Sequence, residues 1–116
     1  MYIISTCMEV NMNCCMVEIA FDDMEIVKKV LSELLNKKLI AGGQVVNSYS
    51  KWNWHGEMEM SEEYLLFIKT KKDLLDEIKN VVEEYHNYEC FEFAVFDLSS
   101  PNKDYLDWIE SETKTR

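Results

Sequence analysis

A long predicted hairpin in the middle of this 116-residue chain constrains its fold more than any other feature. Gln44 to Trp54 and Glu57 to Lys69 are β-rich arms that flank the turn pair His55-Gly56. In the second arm Met58 and Met60 alternate with polar residues, which places both methionines on one face. Strands typically have about 5 to 6 residues. The outer halves of these arms therefore need a pairing partner, which a neighbouring copy of the chain would supply.

Two segments with helical periodicity lie on either side of the hairpin. The first is predicted over about residues 23 to 38, with Asp22 as N-cap and Glu25 completing a capping box. The second follows Thr70, which forms a similar signal with Asp73. Each segment carries one apolar stripe that suits packing on a sheet. The stripes are Val27, Val30, Leu31, Leu34 and Leu35 in the first, and Leu74, Leu75, Ile78, Val81, Val82 and Tyr85 in the second.

Two further apolar segments complete the order of elements. Residues 14 to 21 are predicted to form a buried strand, and Tyr88 to Leu98 a last long strand. A turn at 99–102 leads into a short amphipathic helix that carries Tyr105, Leu106, Trp108 and Ile109. The order β-α-β-β-α-β plus a C-terminal helix predicts an α+β, ferredoxin-like sandwich. Residues 14–116 form this one domain, and residues 1–13 are an extension that either adds an edge strand or stays mobile.

Charge and composition exclude several classes of partner. The chain has 22 acidic and 12 basic residues, a net charge of -10, so it should repel nucleic acid and anionic membranes. No run of about 18 consecutive apolar residues is present that would span a bilayer. The first residues lack the features of a secretory signal, which predicts a cytoplasmic protein with its four cysteines as free thiols.

Motifs of the common catalytic classes are missing from the sequence. It has no GxGxxG, GxxxxGK[ST], GxSxG or HExxH, and its two histidines, His55 and His86, have no nucleophile beside them in sequence. Ferredoxin-like folds host many functions, so the fold alone names none. We therefore expect a binding protein, with an enzyme as the least favoured class.

A series of landmarks resembles the CutA divalent-cation tolerance family. Trp52-Asn53-Trp54-His55-Gly56 is similar to that family's aromatic-Trp-Trp-Glu-Gly turn, and Tyr64 to Thr70 to its central strand ending in Lys-Thr. His86-Asn87-Tyr88-Glu89-Cys90-Phe91-Glu92 resembles its His-Pro-Tyr-Glu-x-Pro-Glu signature, with both prolines replaced. Lys38 to Ala41 and Asn102 to Ile109 match the end of its first helix and its closing helix. The resemblance covers about residues 15 to 112 with hardly a gap.

The resemblance implies a cytosolic homotrimer of ferredoxin-like subunits, associated with tolerance to copper and other divalent metals and with no settled catalytic activity. It places Lys69, Tyr88 and Trp52 at an inter-subunit cleft. Trp52 and Trp54 lie two apart on a strand, so they share a face, and packing in the trimer interface is favoured over stacking on a ligand.

A second function remains open beside metal tolerance. Members of the family have been likened to the trimeric PII signal proteins. The alternative is therefore a regulatory or scaffold trimer that binds a small anion at the cleft, through Lys69 with Glu92 nearby, and signals to an unidentified protein partner.

His86 has two interpretations. A protonated imidazole would stabilise the C-terminal end of the second helix, and a neutral one would bind Cu or Zn with Glu92 or Glu89 as helpers. One such histidine per chain predicts weak to moderate affinity and no tightly bound cofactor. Gly42 stands where the family often has Cys, so a soft ligand is missing there.

The first residues of the chain are rich in sulfur. Thiolates and thioethers favour Cu(I), yet the spacing matches no recognised metal motif, and ordinary core packing is the favoured interpretation. The residues concerned are Cys7, Met8, Met12, Cys14, Cys15 and Met16.

Overall fold

The computed structural model describes residues 9–115, with side chains for residues 13–115. Its helices and strands follow the predicted order. The four strands form an antiparallel sheet with the strand order β2-β3-β1-β4. The α+β, ferredoxin-like class is therefore confirmed. The elements are β1 (Glu9–Phe21), α1 (Met24–Asn36), β2 (Gly42–Trp54), β3 (Glu57–Lys71), a 3-10 turn (Lys72–Leu74), α2 (Leu75–Tyr85), β4 (Phe93–Ser100) and α3 (Lys103–Glu112).

The sheet has one face covered by α1 and α2. The apolar stripes of both helices pack there against alternate residues of β1 and β3, and this forms the main core. That core includes Val17, Ile19 and Phe21 of β1, Leu66 and Ile68 of β3, Val27, Val30 and Leu34 of α1, and Ile78, Val81 and Val82 of α2. Within the described residues, no helix is long and apolar enough to cross a membrane.

The other face of the sheet is covered only at one end. There α3 packs Leu106 and Ile109 against Cys14 of β1. Further along, the same face presents apolar side chains that are only partly buried or exposed in one chain. We call this the open face; its apolar members include Val46, Leu65, Phe67 and Phe96.

The hairpin forms as the sequence predicts. His55 and Gly56 both have positive φ, 51° and 83°, which suits a tight turn that matches the twist of the two strands. Cross-strand pairing of β2 and β3 runs without a break from Gly42 opposite Lys69 to Trp54 opposite Glu57. Pairing of β3 with β1 ends at Tyr64, so in the described chain residues 57–63 pair with β2 alone.

Both predicted caps need correction. The N-cap of α1 is Asp23, whose carboxylate accepts from the backbone N–H groups of Glu25 and Ile26, and Asp22 lies one residue earlier. Thr70 is not a cap: it is buried in β3, where its hydroxyl donates to the Leu39 carbonyl at 2.6 Å. The chain therefore enters α2 through the 3-10 turn, without a side-chain cap.

The outer strands also differ in length from the prediction. β1 begins at Glu9, so residues 9–13, assigned above to the extension, continue β1 and pair with β4 at Glu9–Ser100 and Val10–Ser99. Residues 1–8 lie outside the described residues. β4 begins at Phe93 and not at Tyr88, because residues 86–92 form a loop built around the His86 ring.

Candidate functional site

An open cavity of about 880 Å³ lies between the outer hairpin and the loop before β4. Trp52 and Trp54, 37% and 38% exposed, form part of its wall on the hairpin side, and Tyr88 lines the loop side. Its charged lining, counted among the described residues, is four carboxylates against one lysine, Lys51. The carboxylates are those of Glu59, Glu63, Glu89 and Glu92.

The hairpin register explains why two of these carboxylates reach the cavity. Glu59 lies directly opposite Trp52 in the sheet, so both side chains leave on the same face. Glu63, four residues further along β3, has that same orientation. Its side chain is buried and accepts a 2.6 Å hydrogen bond from the Tyr88 hydroxyl. Burial, followed by this bond, raises the pKa of Tyr88.

A carboxyl pair lies beside the cavity. A hydrogen bond with Glu18 of β1, assisted by burial and by the negative charges of Glu18 and Glu63, raises the pKa of Glu92 to about 7. The proton that Glu92 holds near neutral pH relieves the repulsion between the two carboxyl groups.

His86 lies beneath the loop, stacked between Phe21 and Phe91 with ring centroids 4.4 and 4.7 Å away. Its Nε2 lies 2.7 Å from the Ala20 carbonyl oxygen, and its Nδ1 accepts from the Tyr88 backbone N–H at 3.1 Å. The carbonyl needs a donor and the N–H needs an acceptor, so the ring is the neutral Nε2–H tautomer. Burial lowers the pKa of His86, which agrees with this.

These contacts bear on both interpretations of His86. It is the C-cap residue of α2 through its backbone N–H, which donates to the Val82 carbonyl, but the ring is not the protonated cap that the sequence suggested. Both ring nitrogens already have partners in this arrangement. A metal ion bound at His86 would therefore have to break one of the two hydrogen bonds.

The other predicted site residues fall into two groups. Trp52, Tyr88, Glu89 and Glu92 line the same cavity. Lys69 does not: its ammonium donates to the Gln44 side-chain oxygen at 2.6 Å, and burial lowers its pKa. The predicted site did not include Glu18, Glu59 or Glu63, although the strand alternation around Trp52 was a usable signal for the two hairpin residues.

The sulfur-rich segment offers no chelating thiol pair in the part of it that the structure describes. Cys14 and Cys15 are adjacent in β1, so they lie on opposite faces of the sheet, and both are buried. Burial raises the pKa of both thiols, that of Cys15 to about 11. Cys7, Met8 and the Met12 side chain lie outside the described residues. Within the described chain, no group of three or more His, Cys, Asp or Glu side chains is placed to hold a metal ion.

Comparison with known proteins gives one consistent family. The model of the CutA1 divalent ion tolerance protein family matches residues 15–112. The divalent-cation tolerance protein CutA of Pyrococcus horikoshii is 34% identical over 94 residues, 81% of this chain and 92% of that protein. A chloroplastic CutA 1 protein of Oryza sativa is 28% identical over 99 residues, 84% of this chain and 56% of its own length. The crystal structure of CutA1 from Pyrococcus horikoshii superimposes with a TM-score of 0.79 at 32% identity, and covers 87% of this chain and 99% of that one.

Proposed function

Because this chain belongs to the CutA1 divalent ion tolerance protein family, we propose that it acts in tolerance to divalent cations, copper among them, as a homotrimer that binds these ions weakly to moderately. It does so as a binding protein and not as an enzyme. Cu or Zn is an exchangeable ligand in this proposal, and no cofactor is held permanently.

The charge of the cavity carries the metal-binding part of the proposal. Four carboxyl groups and one lysine line the cavity, and even with Glu92 protonated the three other carboxylates give the lining a negative field that attracts cations. The Glu18–Glu92 pair beside it holds a proton near neutral pH, and a divalent cation can replace that proton. Because the described part of one chain gathers no set of three ligands, the affinity stays modest unless a second chain contributes one.

The trimer is supported by surfaces that one chain leaves uncovered. β2 is an edge strand of 13 residues, long enough to add a strand from another copy. The open face and the two hairpin tryptophans offer apolar area that a monomer would leave in water. A closed ring of identical copies buries both surfaces and leaves no free edge.

The small-anion alternative has less support. Lys69, the cation expected to bind the anion, lies outside the cavity and donates to Gln44. An anion that entered the cavity would meet the carboxylates of Glu59, Glu63, Glu89 and Glu92. The charge pattern therefore favours a cation over an anion at this place.

Titration calorimetry tests the proposal. The parent protein should bind Cu²⁺ and Zn²⁺ at pH 7.5 and show no heat with inorganic phosphate. The double variant Glu59→Gln/Glu92→Gln should bind both metals at least tenfold more weakly. Glu112→Gln, at the far end of α3, removes one carboxylate away from the cavity and should bind as the parent does. Equal metal affinity in the double variant, or phosphate binding without metal binding, would overturn the proposal.

The cellular location in this proposal is the cytoplasm, with no nucleic acid or membrane as partner and a protein partner still to be identified. The net charge of -10 supports the first exclusion. The Oryza sativa relative is named as a chloroplastic protein, so the location of this chain needs a direct test. Fractionation of cells that express the tagged protein tests the location directly.

A further inference from the structure

Two methionines on the outer hairpin lie in water, where large apolar side chains are uncommon. Met58 and Met60 of β3 are 70% and 62% exposed. They belong to the half of the hairpin that lies beyond the rest of the sheet, so no helix of the described chain covers them. The cavity does not account for them either, because neither methionine is among its lining residues.

The register places both thioethers on the face of the hairpin opposite Trp52 and Trp54. Met58 lies opposite Asn53 and Met60 opposite Lys51, whereas the tryptophans lie opposite Glu57 and Glu59. We call the side that carries the two methionines the methionine face. Its other members are Asn53 and Glu62, together with Tyr49 and Lys51, which also border the cavity. Packing of copies through the tryptophan side therefore leaves the methionine face available.

The geometry of the pair suits chelation of one ion. Residues two apart on a strand have Cα atoms roughly 6.5 to 7 Å apart on the same face. A methionine side chain has three rotatable bonds, so two sulfurs that start at this spacing can converge on one ion. The Tyr49 hydroxyl already donates to Met60 Sδ at 3.4 Å, so this sulfur acts as an acceptor on that face.

Ligand chemistry decides which ion fits. Thioethers are neutral and polarizable, so they bind soft monovalent ions such as Cu(I) and Ag(I) and bind hard oxygen-seeking cations poorly. Glu62 on the same face offsets the positive charge of Lys51 opposite Met60. We propose that Met58 and Met60, neither of which lines the divalent-cation cavity, form a soft-metal site for Cu(I) on the methionine face.

Ag⁺ is the probe of choice because it has the same preference for sulfur and does not change oxidation state in air. The background for the experiment is Cys7→Ser/Cys90→Ser, which removes the thiols that would compete. Cys14 and Cys15 stay because both are fully buried. Met58→Leu and Met60→Leu remove the sulfur and keep a side chain of similar size at these exposed positions. Met24→Leu, in the first turn of α1, makes the same substitution away from the hairpin and is the control.

Methionine methyl signals in a ¹H–¹³C NMR titration report binding site by site. Ag⁺ should shift two of the seven methionine methyl signals together at one equivalent. One of these two signals should be missing from the Met58→Leu spectrum and the other from the Met60→Leu spectrum. Each of these variants should bind Ag⁺ roughly tenfold or more weakly, since one thioether of the chelate is lost. Met24→Leu should bind as the background does.

Two results would overturn the proposal. One is that the Met58 and Met60 signals stay in place while Ag⁺ saturates the protein. The other is that Met24→Leu weakens binding as much as Met58→Leu does. Zn²⁺ affinity of the methionine variants should equal that of the Cys7→Ser/Cys90→Ser background, the proper reference because Cys90 lines the cavity. Zn²⁺ binding by Glu59→Gln/Glu92→Gln tests the cavity alone, and Ag⁺ binding by the methionine variants tests the methionine pair alone. Failure of one proposed site is therefore distinguishable from failure of the other.

Discussion

The His86 ring, just after the end of α2, contacts both β1 and the loop before β4. It stacks on Phe21 of β1 and on Phe91 of the loop, and it hydrogen bonds to the backbone of Ala20 and of Tyr88. Tyr88 in turn donates to Glu63 on the hairpin. A residue that the sequence offers as a metal ligand or a helix cap is therefore a positioning residue for the cavity wall.

We predict that His86→Ala lowers the free energy of unfolding by about 2–3 kcal/mol. Two hydrogen bonds contribute about 1 kcal/mol each, and the remainder comes from lost stacking between the aromatic rings. Urea denaturation followed by tryptophan fluorescence measures the loss. Asn87→Ala, which removes one exposed hydrogen bond to Asp22 in the same loop, should cost less than about 1 kcal/mol. A His86→Ala loss as small as that of Asn87→Ala would contradict the role assigned to the ring.

Glu92 gives stability a pH dependence of defined sign. Its folded pKa, about 7, lies above the ordinary value of 4.5, so the folded state holds a proton that the unfolded state releases. This contribution is complete below pH 4.5 and is lost as pH rises through about 7. The thermal midpoint of the parent should therefore fall, relative to that of Glu92→Gln, as pH rises from 4.5 to 7. Parallel profiles for the two proteins would show that Glu92 and Glu18 share no proton.

The identity of each helix N-cap residue was the feature that the sequence predicted least well. Asp22 and Asp23 are both good N-cap residues, and sequence alone cannot say which carboxylate meets the first N–H groups of α1. Thr70 looks like a cap, but its hydroxyl is taken by the Leu39 carbonyl, 31 residues away in sequence. Long-range contacts of this kind leave no local signal.

The hairpin is the element that local sequence describes best. Its turn requires positive φ at two successive positions, and His55 and Gly56 both adopt it, although only the second is a glycine. Strand alternation then fixes which residues share a face, so the tryptophan side and the methionine side could both be predicted. The start of β4 could not be, because the rings of Tyr88 and Phe91 pack around the His86 ring and residues 88–92 do not extend the sheet.

Glycine substitutions separate backbone strain from packing within this element. A Cβ at Gly56 would meet no atom within 4 Å, so Gly56→Ala should cost only the strain of φ 83°, about 1–2 kcal/mol. Gly56→Asn should cost less, because Asn tolerates this conformation better than other residues do. Gly43→Ala instead brings its Cβ to 2.7 Å from Leu31 and should destabilise through packing. Urea midpoints compare the three; equal losses for Gly56→Ala and Gly56→Asn would exclude backbone strain as the cause.

At the scale of the whole molecule, the family resemblance predicted which residues from distant segments come together, and no local pattern could do so. It brought Trp52 and Tyr88 to one place, and the structure puts both at the cavity. It also places Lys69 at an inter-subunit cleft, which stays a prediction; within the described chain Lys69 does not line the cavity, and its ammonium donates to Gln44 on the neighbouring strand. The carboxylates that set the sign of the cavity come from two separate segments, β3 and the loop before β4, so only the folded chain brings them together.

Assembly through the tryptophan side of the hairpin is the central claim, and native mass spectrometry of matched variants tests it most directly. The parent should have three times the 13.8 kDa mass of one chain. Trp52→Glu should appear at 13.8 kDa, because an unpaired charge buried in the interface costs several kcal/mol. Asn53→Glu, the next residue on the opposite face, should keep the trimer mass. A parent at 13.8 kDa, or a Trp52→Glu variant that stays trimeric, would contradict the claim.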